Sequence, residues 1–207
     1  MLSTYGKSTR PQAEIEAIVA ATAGHEEKTL RKWQRISTTD ADVIHIIVSG
    51  EVDFRRASDD LCMFHLQGQC IFGLAAINYH SSHMHGVVRS NTLVRTINKD
   101  QFYRLMDSKG LWPALTKVLA WYICLLSKRD DVLVSRSAYS IVREFLLEIN
   151  ELVVHHHRDI NIYDYIQSYT HLARSTIIKI LAELKKGHYI VVEKGRLLSL
   201  TTLPEKF

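Results

Sequence analysis

Basic and short polar side chains share one face of a predicted helix near the C-terminal end of the chain. At about 100° per residue, counted from Arg174, the apolar residues occupy the opposite face between about 240° and 340°. These apolar residues are Ile177, Ile180, Leu181 and Leu184. The polar face carries Arg174, Ser175, Lys179, Lys185 and Lys186, and Glu183 lies at its edge. Such a helix can pack on one side and offer cations to phosphates and polar groups to base edges on the other.

Three positions on this helix carry more specific expectations. Arg174, near the N-terminal end of this helix, can bind guanine O6 and N7 together, an interaction that discriminates between bases by about 1–3 kcal/mol. Ile178 falls near 40°, where its methyl groups could contact a thymine methyl, although a wide apolar stripe would also explain it. Lys185 and Lys186 can reach DNA, but lysines in a last turn also interact favourably with the helix dipole.

A hairpin is predicted directly after this helix. Two apolar runs, Tyr189–Val192 and Leu197–Leu200, enclose a turn that contains glycine. Lys194 and Arg196 flank that glycine, so they could contact a DNA backbone or simply form a solvated hairpin tip.

The order of elements around the helix is that of a winged helix-turn-helix. A helix over Ile141–Val154, a short helix over Ile162–Tyr169 and a tight turn at Thr170-His171 precede the basic helix at Ala173–Gly187. The hairpin that follows then corresponds to the wing.

The chain before this module divides into a segment with a strand pattern and a segment with a helical pattern. Short apolar runs with turn residues between them, from about Lys28 to Phe102, predict several strands of a sandwich or roll. Ser108 to about Val134 has helical spacing with a heptad-like seam, which consists of Leu115, Leu119, Tyr122, Leu126, Arg129 and Leu133. We expect this seam to form a homodimer; packing against the chain's own β domain is the alternative.

Several of these segments resemble the CRP/FNR superfamily of bacterial regulators. Leu172–Leu184 is similar to that family's recognition helix with its Arg-x-Thr core, here Arg174-Ser175-Thr176. Upstream, Ile44–Val52 and Phe64–Gly73 look like the glycine-containing turns of the family's β-roll.

The resemblance implies an α+β fold with three parts. A cyclic-nucleotide-binding-like β-roll with an N-terminal helix would span residues 1–107, a long dimerisation helix 108–135, and a winged helix-turn-helix 136–207. It further implies a homodimer on a two-fold symmetric double-stranded DNA operator, with base-reading positions at Arg174, Ser175 and Lys179. Many family members have glutamate where this chain has Ser175, and a hydroxyl reads several bases whereas a carboxylate prefers the cytosine amine. The family's usual operator is therefore not expected.

The β-roll is expected to have lost the ligand residues of its relatives. Cyclic-nucleotide binders of the superfamily follow Phe-Gly with a glutamate and later carry Arg-Ser, whereas here Leu74 follows Phe72-Gly73 and the later segment is Met84–Val88. Iron–sulfur members need N-terminal cysteines, and residues 1–30 have none. We therefore expect neither cofactor.

Three other sensor sites remain open. His80, His83 and His85 could hold a metal or haem, or belong to a polar loop. Cys62 and Cys70 could be peroxide-sensitive, but their apolar strand context favours core packing. Cys124 is expected in the core or seam, and His155–His157 in a solvated break between helices rather than a metal site.

Composition and charge limit the classes of protein to which the chain can belong. The chain has 207 residues, 46% hydrophobic and 23% charged, which is typical of a globular protein and excludes a disordered or collagen-like chain. The net charge of +4 permits a nucleic-acid partner without requiring one. Three cysteines without a CxxC pair, and no apolar signal core or membrane span, indicate a cytoplasmic location with no membrane partner.

A transcriptional regulator is the leading prediction, with RNA polymerase as a further partner. The alternatives are a winged-helix module for protein contacts, and a haem, metal or thiol sensor with DNA output. An enzyme is not expected because the sequence has no acid/base pair, nucleophile motif or phosphate loop.

Overall fold

The computed structural model describes residues 9–37, 42–75, 83–156 and 159–205. It divides the chain into two compact units, one with Thr9–Cys124 and the other with the chain from Leu125 onward. The division falls inside a helix, since Trp112–Leu133 is continuous across it.

The first unit contains eight strands among its described residues, with a helix before them and two after them. In chain order these elements are α1 (Gln12–Ala21), β1 (Glu27–Leu30), β2 (Arg35–Ile36), β3 (Val43–Ser49), β4 (Glu51–Arg56), β5 (Cys62–Gln67), β6 (Cys70–Phe72), β7 (Met84–Val88), β8 (Thr92–Asn98), α2 (Lys99–Lys109) and the start of α3 (Trp112–Leu133). The strands form two antiparallel four-stranded sheets, in the orders β1-β8-β3-β6 and β2-β7-β4-β5. The predicted β-roll is thereby confirmed.

Glycine turns connect successive strands where the sequence predicted them. Gly50 joins β3 to β4 with φ of 115°, and Gly68 lies between β5 and β6 with φ of 80°. The Gly68 N–H donates to the Gly50 carbonyl at 2.8 Å, so the two turns support each other. A Cβ on Gly50 would lie 2.7 Å from Thr92 Cα, which leaves no room for a side chain.

Aromatic and branched side chains fill the first unit. Phe54 contacts Phe64 and Phe72, with ring centroids 5.0 and 4.8 Å apart. Tyr122 of α3 extends this cluster, since its ring stacks on Phe64 and its hydroxyl donates to the Ile71 carbonyl at 2.8 Å. The start of α3 is therefore fastened to the β-roll by a hydrogen bond as well as by apolar packing.

The long helix begins later than the sequence predicted. Instead of one helix from Ser108, the chain forms α2, a turn at Gly110 with φ of 62°, and then α3. The Leu111 N–H donates to the Met106 carbonyl at 2.8 Å, which closes the end of α2 in the manner of a left-handed cap. The prediction missed α2, in which Phe102 and Met106 are buried.

The predicted seam residues do not all face the same way. Leu115 is only 3% exposed and Tyr122 hydrogen-bonds its own β-roll, so these two positions move out of the predicted seam. Arg129 is also buried. Leu119 is 41% exposed, and Leu126 and Leu133 are half-buried.

The second unit is a helical module with a hairpin. Besides the end of α3 it contains α4 (Ala138–His156), α5 (Ile162–Tyr169), α6 (Arg174–Lys186), β9 (Ile190–Glu193) and β10 (Arg196–Leu200). The helix predicted from Ile141 starts three residues earlier, where the Ser137 hydroxyl accepts from the Ser140 N–H at 3.1 Å. His155 and His156 belong to α4 rather than to a break, and His157 lies outside the described residues.

One core unites these elements. Each helix contributes fully buried apolar side chains, among them Val142, Leu146, Ile149, Ile162, Ile166, Ile177, Leu181 and Leu184. Ile190 and Leu197 of the hairpin are also buried. This is the predicted winged helix-turn-helix.

No single helix among the described residues is long and apolar enough to cross a membrane. Only α2 and α3 taken together, bent by 118°, reach the necessary length and composition.

A buried carboxylate anchors a polar network on one sheet of the roll. Asp53 accepts from His65 Nδ1 at 2.8 Å and from Arg55 Nη2 at 3.0 Å, and Arg89 lies 3.6 Å away. Burial alone would raise the pKa of Asp53, but these donors outweigh burial and hold the pKa below its usual range.

The Asp53 network predicts acid sensitivity. A carboxylate with a lowered folded-state pKa stabilises the fold above its unfolded pKa of about 3.9, and this contribution is lost as the pH falls through the folded pKa. We expect Asp53→Asn to lower the free energy of unfolding at pH 7 by about 1–3 kcal/mol. It should also flatten the loss of stability below about pH 4. Urea unfolding from pH 3 to 7 measures both effects, with the exposed Asp42→Asn as control. Equal pH dependence in wild type and Asp53→Asn would contradict the assignment.

The two strand cysteines lie in the core, as their apolar sequence context predicted. Cys62 and Cys70 are both buried, and burial raises the pKa of the Cys70 thiol to about 12. Cys124 is exposed within the chain and therefore is not a core residue.

Burial predicts that Cys62 and Cys70 are unreactive in the folded protein. At pH 8 a thiol with a pKa of about 12 is thiolate in only about one molecule in ten thousand. Iodoacetamide should therefore modify both residues in urea but not in the native protein, as measured by mass spectrometry of peptides. A Ser199→Cys variant supplies an exposed thiol as positive control. Rapid oxidation of native Cys70 by hydrogen peroxide would contradict the prediction.

Candidate nucleic-acid interface

The recognition-helix candidate α6 has the two faces that the sequence predicted. Ile177, Leu181 and Leu184 are fully buried. The opposite face is exposed and carries Arg174, Ser175, Ile178, Lys179, Lys185 and Lys186. Glu183 is exposed as well. The helix therefore presents four cations and one carboxylate to its surroundings.

Ile178 does not belong to the buried stripe. It is 46% exposed, one turn from Arg174 and Ser175, so a wide apolar face does not explain it. Its branched side chain is available to an apolar group such as a thymine methyl.

The turn between α5 and α6 is held by local hydrogen bonds. Thr170 Oγ1 donates to the Ile166 carbonyl at 2.8 Å and accepts from the Leu172 N–H at 3.3 Å. The Asn161 side chain caps α5 by accepting from Tyr163 N–H at 3.0 Å and from Asp164 N–H at 3.3 Å. These bonds fix the backbone at the start of α5 and in the turn that leads from its end to α6.

The wing tip is fastened to the start of α5. Lys194 and Gly195 have φ of 48° and 81°, as a two-residue turn with both residues left-handed requires. The Gly195 carbonyl accepts from the Ile162 N–H at 2.8 Å. A Cβ on Gly195 would lie 2.6 Å from Asn161 Nδ2, so the close approach depends on glycine.

Both candidate arginines have partners near the start of α5. Arg174 Nη1 lies 3.5 Å from Asp164 Oδ1 and 3.5 Å from Gln167 Oε1, and its guanidinium carbon is 5.6 Å from the Tyr163 ring centroid. Arg196 on the wing pairs with Asp159 at 2.7 Å. Lys194 is exposed at the turn.

Sequence reasoning missed these partners of Arg174. Asp164 and Gln167 precede Arg174 by ten and seven residues, and the spacing within a single helix connects neither pair. Their contact depends on the turn between the helices, which a periodicity pattern does not describe. The only sign of these ion pairs in the sequence was the presence of Asp159 and Asp164 shortly before the predicted basic helix.

The upstream histidines, for which a metal or haem site and a polar loop were the two alternatives, are only partly described. His80 lies outside the described residues, and His85 Nε2 contacts Asp60 Oδ1 at 2.8 Å. Within the described ranges, no group of three His, Cys, Asp or Glu side chains is arranged to hold a metal ion.

The chain is similar in sequence to a known family and to known proteins. Residues 138–205 match the family described as winged helix-turn-helix DNA binding. The chain is 26% identical over 163 residues to the inhibitor of hydrogen peroxide resistance of Salmonella typhimurium, a match that covers 78% of each chain.

Solved structures also resemble the chain in fold. The c-di-GMP responsive global regulator of Xanthomonas campestris superimposes with a TM-score of 0.69 at 11% identity, covering 92% of this chain and 100% of that one. A transcriptional regulator of the CRP/FNR family from Eubacterium rectale gives a TM-score of 0.68 at 16% identity, covering 91% and 90%. The chain therefore has the fold of the CRP/FNR regulators, contains a winged helix-turn-helix over residues 138–205, and resembles the inhibitor of hydrogen peroxide resistance in sequence.

Proposed function

We propose that this protein is a sequence-specific transcriptional regulator that binds double-stranded DNA as a homodimer. The exposed cationic face of α6, set on a buried apolar face inside a winged helix-turn-helix, is the observation that carries this proposal. It acts by inserting α6 into the major groove and thereby blocking or recruiting RNA polymerase.

The exposed residues of α6 divide the work of recognition. Arg174, Ser175, Ile178 and Lys179 occupy the first two turns, from which a recognition helix reaches base edges. Lys185 and Lys186 at the end of the helix, with Lys194 and Arg196 on the wing, neutralise phosphates. Sequence preference comes from the first set and most of the affinity from the second.

The dimer forms through the exposed side of α3. Leu119 and Ile123 are 41% and 64% exposed, and Leu126 and Leu133 continue the same narrow stripe at heptad spacing. Ile123 thus replaces Leu115 and Tyr122 in the seam. An apolar stripe of this kind is stabilised when a second copy covers it.

The β-roll serves as a degenerate effector domain. Leu74 stands after Phe72-Gly73, where the cyclic-nucleotide binders that the sequence resembles have a glutamate, and Tyr122 fastens α3 to Ile71 beside the aromatic cluster. The protein would act in the cytoplasm, without enzymatic activity, and its relative's name suggests a role in tuning resistance to hydrogen peroxide.

Two other functions make different predictions. A winged-helix module for protein contact would bind DNA weakly, with no preferred sequence. A haem, metal or thiol sensor would bind DNA only with its group in the required state, and a visible spectrum with metal analysis detects that group.

Arg174→Ala should weaken binding to the preferred sequence by about 1–3 kcal/mol and relax one base position. The reason is the loss of a guanidinium that can bind two acceptors of one guanine. Selection of bound sequences from random duplexes identifies the operator, and fluorescence anisotropy then measures affinity for operator and random DNA.

Lys185→Ala is the matched control. A phosphate contact is lost in this variant, so binding should weaken equally for all sequences and the salt dependence should fall by about one unit of slope. Retention of full affinity and specificity by Arg174→Ala would remove α6 from the role of recognition helix.

Ile123→Glu should convert the dimer to a monomer, because it places charges in an apolar seam. Sedimentation velocity measures the change in mass, and operator binding should weaken by at least about tenfold because one half-site is lost. Cys124→Glu adds the same charge at an exposed position about 100° around the helix from Ile123 and about 140° from Leu119, and should stay dimeric. A dimeric Ile123→Glu protein would show that the seam lies elsewhere.

A further inference from the structure

Three side chains of α5 surround the guanidinium of Arg174. Asp164 Oδ1 and Gln167 Oε1 both lie 3.5 Å from Nη1, and the Tyr163 ring lies 5.6 Å from the guanidinium carbon. We propose that Asp164 is a positioning residue that holds Arg174 for base reading and thereby sets how strictly the protein discriminates among bases. This inference rests on the proposed function and deepens it.

The position of Asp164 is itself fixed by the fold. It lies in the first turn of α5, where the Asn161 side chain accepts its N–H at 3.3 Å. Gln167, one turn later, reaches the same Nη1 atom from the same helix. The carboxylate therefore acts from a rigid element and not from a mobile loop.

A held arginine discriminates better than a free one. The arginine side chain has about 2 kcal/mol of rotamer entropy, and a free guanidinium can turn from a mismatched base to a neighbouring phosphate. Asp164 and Gln167 restrict those alternatives, while 55% of the Arg174 side chain remains exposed to a ligand. The guanidinium is therefore directed yet accessible.

The same carboxylate opposes binding to DNA in general. Asp164 is 70% exposed beside a surface that we assign to a polyanion, so it repels phosphates. Removing its charge should strengthen binding to any duplex while weakening discrimination at one base. A residue needed only for folding would reduce both quantities, and a residue that acted only by repulsion would leave discrimination unchanged.

Asp159 provides a matched comparison within the same module. Its carboxylate pairs with Arg196 of the wing at 2.7 Å, and it is 67% exposed, much like Asp164. Asp159→Asn removes the same charge near the same surface, but it releases an arginine assigned to phosphate contact. It should therefore change affinity without changing base preference.

The experiment compares wild type, Asp164→Asn and Asp159→Asn as full-length proteins. Bound sequences are selected from random duplexes, and anisotropy measures affinity for the selected operator, for operators changed at the Arg174-dependent base, and for random DNA. Asp164→Asn should bind random DNA about 2- to 5-fold more tightly. Its discrimination at that base should fall about 3- to 10-fold. Thermal unfolding confirms that each variant is folded.

A second variant tests whether the position of the charge matters. Asp164→Asn combined with Gln167→Glu returns a carboxylate to the other oxygen-bearing side chain near Nη1. The double variant should recover most of the lost discrimination.

The outcomes separate this inference from the proposed function. If Arg174→Ala relaxes one base position but Asp164→Asn leaves discrimination at wild-type level, the positioning role is wrong and the recognition helix stands. Equal loss of discrimination in Asp159→Asn would also overturn the positioning role. If Arg174→Ala itself leaves base preference unchanged, the recognition assignment fails.

Discussion

The hydrogen bond from the Ile162 N–H to the Gly195 carbonyl is the contact that joins the wing to the helices of the winged helix-turn-helix. It ties the wing to the first turn of α5, where the Asn161 side chain caps the helix and occupies the space beside Gly195 that a Cβ would need. Because α5 also supplies the carboxylate beside Arg174, the wing, α5 and the Arg174 side chain are linked through the same few contacts. Glycine is needed there since a Cβ would displace the Asn161 amide.

In the β-roll, likewise, a few contacts position several elements. The contact between the turns at Gly50 and Gly68 aligns neighbouring strand pairs, and the aromatic cluster then fills the space between the sheets. Tyr122 adds a hydrogen bond to backbone that a strand partner would otherwise engage. The first part of α3 is thus integrated into the core of this unit, which leaves only its outer stripe for other contacts.

Periodicity predicted the parts of the structure that local burial decides. It assigned both faces of α6 correctly because a regular helix on an apolar core repeats every 3.6 residues. It could not separate Leu115, which packs inside its own domain, from Leu119, which is exposed, because a heptad pattern does not say what covers it. It missed α2 since only Phe102 and Met106 mark its apolar face. The pairing of Arg174 with Asp164 depends on a turn, and therefore on tertiary structure.

The separation of the two faces of α6 also affects how such a protein can evolve. Ile177, Leu181 and Leu184 hold the helix in the fold, while Ser175 and Lys179 are exposed. Substitutions at the exposed positions therefore cost little stability, typically within about 0.5 kcal/mol. If α6 reads base edges as proposed, single substitutions can change the set of regulated genes while the scaffold stays intact, and related chains can control different genes with one fold.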